Sequence, residues 1–196
     1  MNCIVLDIET TGLSRYTDKI TEIAAIKLEH SKIKNEFHTL INPERHIPSF
    51  ITRLTGINDE MVKDAPVVEE VLPKLKKFFR EDHLVAHSAG FDLGFLSHNF
   101  RENSNLDLDN KHVCTLKLAN RLPIQVENKK LGTLCKFFNI DNEQEHRARG
   151  DALATVELLN KFKPILNHNN INTIEDVHQF LMKPACVCRQ KIILPK

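Results

Sequence analysis

The chain has 196 residues, 41% of them hydrophobic and 27% charged, which is typical of one folded domain and excludes a largely disordered chain. Its formal net charge of +1 excludes a general electrostatic attraction to nucleic acid, so any such binding must come from a local arrangement of charges. The chain lacks an apolar run of about 20 residues, a signal-peptide pattern and a regular cysteine framework, which predicts a cytoplasmic protein without membrane contact.

The first part of the chain predicts a set of antiparallel strands. An apolar run, CIVLDIE, changes to carboxylates and stops at a turn, as a buried strand does at its end. The connections to the next two apolar segments are short, which favours antiparallel pairing. The predicted strands cover residues 3–9, 20–28 and 35–42. Pro43 closes the third strand, and a short helix over 49–55 ends at Gly56.

From residue 66 onward the pattern alternates helices with short strands. One helix, 66–80, begins at Pro66, and a longer helix, 148–163, is predicted to end just before Pro164. The other predicted elements are strands over 83–87 and 112–114 and helices over 91–102, 115–121, 131–138 and 172–182. This order predicts an α/β sandwich with a mixed sheet flanked by helices. We expect one domain over 1–182, followed by a basic tail over 183–196.

Asp7 and Glu9 lie two residues apart at the end of the first strand. The alternation of side chains along a strand places both carboxylates on the same face. Two such carboxylates repel each other and are costly to desolvate unless a cation lies between them. The alternative is that both face water where the strand ends.

Three further residues in the second half are candidates for the same site. Asp92 lies near a helix start between apolar residues, although a carboxylate there is also a simple charge partner of the helix end. Asp151 lies just inside a helix, and His146 precedes it by five residues. On one continuous helix these two side chains would diverge by about 140°. They converge only if His146 lies on the preceding loop; otherwise it is a surface histidine.

These residues lie in segments that resemble the DEDDh family of exonucleases. The segments are DIETTGL (7–13), LTGI (54–57), HSAGFDLGFL (87–96) and HRARGDALAT (146–155). The resemblance covers about 2–163, and within the family the chain is most similar to the proofreading (epsilon) subunit of bacterial DNA polymerase III. It implies a ribonuclease H-like fold and a metal-dependent 3′→5′ exonuclease that releases nucleoside 5′-monophosphates from DNA 3′ ends. The expected substrate is a single strand of DNA, and the enzyme would act alone or beside a polymerase as a proofreading nuclease.

The resemblance also implies a role for each residue. Asp7, Glu9, Asp92 and Asp151 would hold two Mg²⁺ or Mn²⁺ ions, and His146 would be the general base. Further residues are expected to contact the terminal nucleotide or its phosphates: Thr10, Thr11, Gly12, Leu13, Arg147 and Arg149. A related subgroup has tyrosine in place of the histidine, but the single tyrosine, Tyr16, lies far from the third motif in sequence.

The sequence leaves several alternatives open. The same chemistry could act on RNA, or the chain could be a catalytically silent module that binds nucleic acid or supports a polymerase. In the tail, QKIILP (190–195) loosely resembles peptides that bind the bacterial sliding clamp, although an edge strand or a disordered end is also compatible. A basic run, Lys74, Lys76, Lys77 and Arg80, could follow phosphates or form a solvated helix face.

Overall fold

A mixed β-sheet forms the centre of the fold. A computed structural model describes residues 1–104, 106–185 and 192. The strands are β1 (Cys3–Thr10), β2 (Ile20–Glu29), β3 (Lys32–Leu40), β4 (Leu84–Ala86) and β5 (His112–Cys114). They lie in the order β3-β2-β1-β4-β5, in which β1 to β3 pair antiparallel and β4 and β5 are parallel to β1. The predicted mixed sheet is therefore confirmed.

Helices cover both faces of this sheet. They are α1 (Ser49–Thr55), α2 (Asp59–Val62), α3 (Val68–Phe79), α4 (Asp92–Ser104), α5 (Thr115–Ala119), α6 (Leu131–Phe138), α7 (Ala148–His168) and α8 (Ile174–Met182). Alternate residues of β1 face opposite sides: Val5 packs with α7 and α8, and Leu6 packs with α3 and α4. This confirms the α/β sandwich. None of the described helices is long and apolar enough to cross a membrane.

Pro164 lies inside α7, so the prediction that this helix ends before it was wrong. A proline inside a helix removes one backbone hydrogen bond and crowds the preceding turn. The helix continues because Phe162 and Leu166, one turn apart, are both fully buried and carry its apolar stripe past the proline.

The structure differs from the predicted elements at two other places. The edge strand β3 starts at Lys32 and ends at Leu40, whereas the prediction was 35–42; its first residues are exposed and carry no apolar alternation. The short helix α2 was not predicted, although Asn58 caps it by accepting a hydrogen bond from the Met61 N–H. The predicted tail, with Cys186, Cys188 and QKIILP, lies outside the described residues except for 183–185 and 192.

Candidate active site

A cluster of carboxylates lies at the carboxyl end of β1. Asp7 and Glu9 project from the same face of this strand, and Asp151 reaches them from the first turn of α7. One carboxylate oxygen from each of these residues lies within 4.8 Å of the others. All three side chains are partly exposed, so the cluster is open to solvent on one side.

Asp92 adds a fourth carboxylate to this cluster. It is the first residue of α4 and is only 3% exposed. Its Oδ1 accepts a hydrogen bond of 3.3 Å from the backbone N–H of Ile8, the residue between Asp7 and Glu9. The structure therefore brings together all four carboxylates singled out in the sequence, which come from one strand and the first turns of two helices.

The electrostatic environment disfavours the charged form of every carboxylate in the cluster. Burial, reinforced by the neighbouring acids, raises the pKa of Asp7 well above its usual range. The same causes raise the pKa of Glu9 to about 8, and burial raises that of Asp92 to about 7. Burial also raises the pKa of Asp151, although a hydrogen bond of 2.7 Å from the Asn142 amide opposes the shift.

This donor set fits hard divalent cations. Only carboxylate oxygens converge here among the described residues, without a thiolate or imidazole in the group. Mg²⁺ and Mn²⁺ prefer such oxygen ligands. A cation would also neutralise the mutual repulsion that raises the pKa values. The residues present therefore fit one or more hard divalent cations.

His146 lies on the loop before α7, where its side chain can be directed differently from those of the helix. Its φ of 62° is in the left-handed region, and the residue is exposed. Its backbone N–H donates a hydrogen bond of 3.2 Å to Oδ2 of Asp151. The condition for His146 and Asp151 to converge, a loop position for the histidine, is therefore met.

The two arginines beside His146 are held by glutamates and do not join the cluster. Arg147 donates from Nε and Nη2 to Oε2 and Oε1 of Glu22, at 3.0 and 2.8 Å. Arg149 makes a similar two-bond contact with Glu36, at 2.5 and 3.1 Å. The expectation that both arginines contact phosphates therefore gains no support from their positions, because each guanidinium already has a carboxylate partner.

Glu22 is a structural anchor that sequence reasoning missed. Its side chain is fully buried and also accepts a hydrogen bond of 2.9 Å from the Ala148 N–H, at the start of α7. Burial would raise its pKa, but the hydrogen bonds from Arg147, His38 and Ala148 outweigh this and lower it. The available signal was its position in β2, on the same face as the apolar Ala24 and Ile26. Asn142 was also missed, and no local pattern marks it.

The loop after β1 is held by its own polar side chains. The Thr10 hydroxyl donates to the Gly12 carbonyl at 2.6 Å, and the Thr11 hydroxyl accepts a bond of 3.0 Å from the Lys19 N–H. A Cβ on Gly12 would lie 2.5 Å from the Asp18 carboxylate, which the Ser14 N–H holds in place. Leu13 is 86% exposed, so its side chain is accessible to a ligand.

Comparison with known proteins places the chain among nucleases. The exonuclease family model RNase_T matches residues 4–159. The PolC-type DNA polymerase III of Caldanaerobacter subterraneus subsp. tengcongensis is 43% identical over 180 residues, which cover 92% of this chain and 13% of that protein. The Bacillus subtilis protein of the same name is 39% identical over 176 residues, covering 86% of this chain and 12% of that protein. The chain thus spans only a small part of these relatives.

Solved structures share the fold. Exonuclease X in complex with 5′ overhanging duplex DNA is 27% identical, with a TM-score of 0.71 over 91% of this chain and 99% of that chain. Exonuclease I of E. coli in complex with a dA16 oligonucleotide has a TM-score of 0.74 at 16% identity, over 83% and 40% of the two chains. The predicted ribonuclease H-like fold and DEDDh resemblance are confirmed, and the chain belongs to the RNase_T exonuclease family.

Proposed function

We propose that this chain is a metal-dependent 3′→5′ exonuclease that releases nucleoside 5′-monophosphates from the 3′ ends of DNA. The observation that carries the proposal is the carboxylate cluster itself. Asp7, Glu9 and Asp151 lie within 4.8 Å of one another, with buried Asp92 beside them. A fold gains no stability from four converging acids of raised pKa, whereas phosphodiester hydrolysis with divalent cations requires such a group.

Asp7, Glu9, Asp92 and Asp151 would hold two ions of Mg²⁺ or Mn²⁺. Bound there, the ions supply Lewis-acid stabilisation of the negative charge that develops at the scissile phosphate. Hydrogen bonds within the chain orient two of these acids: the Ile8 N–H donates to Asp92, and the Asn142 amide donates to Asp151.

His146 would act as the general base for the attacking water. An imidazole is suited to accept and release a proton near neutral pH. As the water oxygen bonds to the terminal phosphorus, its proton passes to the His146 ring. The bond from phosphorus to the 3′ oxygen of the preceding nucleotide breaks, and this oxygen takes up a proton from solvent, which releases a 5′-monophosphate and leaves a new 3′ hydroxyl. The hydrogen bond from the His146 backbone to Asp151 ties this base to the acid cluster.

DNA is the substrate that the relatives favour. The most similar sequences reported above are DNA polymerase III proteins, and exonuclease X, which matches over 91% of this chain, was solved with DNA. We also propose that the chain acts beside a DNA polymerase. In this proposal residues 1–182 form a single exonuclease domain. Cytoplasmic location and binding of a sliding clamp stay predictions of the sequence.

One assay tests the proposal. Single strands of DNA and RNA of matched sequence, labelled at either end, are incubated with Mg²⁺, with Mn²⁺ and with EDTA. We expect 5′-labelled DNA to shorten in single-nucleotide steps, 3′-labelled DNA to release a labelled mononucleotide at once, and EDTA to stop both. Faster turnover of RNA would replace DNA as the substrate. Intact strands under every metal condition would favour the silent module instead.

A further inference from the structure

Two neighbouring cavities run from the loop after β1 along the outer side of α4. The first, of about 310 Å³, is lined by Leu13 and by Phe91, the residue before the acid Asp92. The second, of about 500 Å³, continues along α4 as far as Arg101. Arg15 and Tyr16 line both cavities, so the two adjoin, and the first is lined by the residue that precedes Asp92 in the chain.

Tyr16 presents an aromatic face in these cavities. The residue is 72% exposed and adds little to the core. Its ring is nevertheless held: it makes an edge contact with the ring of His98 at 5.3 Å between centroids, and the Arg15 guanidinium lies over the ring, 5.3 Å from its centroid. A fixed and exposed aromatic ring next to a cation is a surface on which a nucleic acid base can stack.

The positive charge of Arg15 is available to a ligand. Among the described residues, no carboxylate oxygen lies within 4.0 Å of its guanidinium, in contrast to Arg147 and Arg149. The side chain crosses α4 at Gly94, where a Cβ would lie 2.7 Å from Nη1 of Arg15. The absence of a side chain on Gly94 therefore lets Arg15 lie close against the helix.

The charges at the far end of the second cavity are mixed. Arg101 pairs with Asp107 at 3.1 Å, and Glu102 also lines the second cavity. The Arg101 and Asp107 side chains are 71% and 62% exposed, and such surface pairs contribute little and separate readily. Arg101 can therefore exchange Asp107 for a phosphate at small cost.

We propose that Arg15, Tyr16, His98 and Arg101 form a platform, here called the α4 platform, for the unpaired nucleotides that precede the scissile bond. This inference rests on the proposed function and adds to it a surface, outside the carboxylate cluster, that binds the strand ahead of the scissile bond. The nine helical steps from Asp92 to Arg101 span about 14 Å, which is the rise of about four stacked nucleotides. A duplex keeps its bases stacked on each other, so only an unpaired strand can use Tyr16.

The test compares a dinucleotide with a dodecanucleotide of single-stranded thymidylate. The readout is the ratio of kcat/KM for the long strand to that for the short one, because a change at the acid cluster alters both values alike. Tyr16→Ala should lower this ratio about 5- to 100-fold, because this is the contribution of one stacked base to binding. Tyr16→Phe keeps the stacking face and should keep the ratio. Lys34→Ala, on the far edge strand, removes an exposed cation and should also keep it.

A binding measurement separates the two proposals. The Kd of the dodecanucleotide, followed by fluorescence anisotropy in EDTA, should rise by a similar factor in Tyr16→Ala and in Arg15→Ala. If the wild-type protein degrades neither substrate but binds the strand, and both variants bind it more weakly, the proposed function fails while the platform stands. If the wild-type protein degrades both substrates and neither variant changes the ratio or the Kd, the platform is refuted while the exonuclease stands.

Discussion

Glu9 and Glu22 face each other on neighbouring strands, yet their environments are opposite. They are register partners in the pairing of β1 with β2. Burial and the neighbouring acids raise the pKa of Glu9 to about 8. Glu22 is more deeply buried, but hydrogen bonds from Arg147, His38 and the Ala148 N–H lower its pKa. Two carboxylates of one sheet therefore differ in whether the protein itself compensates the negative charge.

The difference separates an acid with a structural role, Glu22, from an acid of the proposed metal site, Glu9. Glu22 has all its partners within the chain and fastens the start of α7, and with it the loop of His146, to β2. Among the described residues Glu9 forms no ion pair; the charge of Arg147 lowers its pKa, but burial and the neighbouring acids outweigh this effect. A carboxylate in such an environment is costly to ionise, and the divalent cations proposed for this cluster would provide the compensation.

The largest effect is expected from Asp7→Asn. This variant removes the carboxylate that is central to the cluster, so nucleotide release should fall to background while the fold is retained. The repulsion within the cluster also decreases, so the metal-free variant should be at least as stable as the wild type. Release is measured with 5′-labelled single-stranded DNA. The matched control is Asp64→Asn, because Asp64 is an exposed acid that follows α2. Activity that persisted in the Asp7 variant would contradict the proposed role of Asp7 as a metal ligand.

His146→Ala should have the next largest effect. Loss of a general base lowers the rate by about 10²- to 10⁴-fold. Metal affinity should stay the same, because the backbone N–H, which contacts Asp151, is retained in alanine. Single-turnover rates and calorimetric titration with Mn²⁺ measure the two quantities separately. A rate within twofold of the wild type would assign the base to another group.

Glu22→Gln tests the structural side of the comparison. The substitution leaves the Arg147 guanidinium without its ion-pair partner at a site where the glutamate is fully buried. The free energy of unfolding should decrease by about 2 kcal/mol, less than for a fully buried pair because Arg147 is 30% exposed. Urea denaturation measures the change. Glu36→Gln breaks the more exposed pair with Arg149 and should cost less than about 1 kcal/mol; equal losses in both variants would remove the anchor role of Glu22.

The sequence predicts the positions of these acids in the fold better than it predicts their hydrogen-bond and ion-pair partners. Strand alternation correctly places Asp7 and Glu9 on one face, and the motif order brings Asp92 and Asp151 to the same place. The partners of these acids depend on contacts between distant segments: Glu22 meets Arg147 across 125 positions of sequence. Pro164 is a second example of a feature that depends on tertiary packing. Proline usually ends a helix, but the burial of Phe162 and Leu166 keeps α7 helical past this residue.

The smallest effect concerns the pH dependence of stability in Glu9→Gln. The pKa of Glu9 is about 8 in the folded chain, against 4.5 ordinarily, so the folded state holds a proton that the unfolded state loses between these values. Without metal, Glu9 therefore destabilises the fold increasingly as pH rises from about 5 to 8. The Tm of Glu9→Gln should exceed that of the wild type by a margin that grows over this window, reaching about 3 °C or more. Added Mg²⁺ should reduce or reverse this difference in Tm, because the ion binds the carboxylate of the wild type and not the amide of the variant. A difference in Tm that depends on neither pH nor Mg²⁺ would contradict the contrast between Glu9 and Glu22.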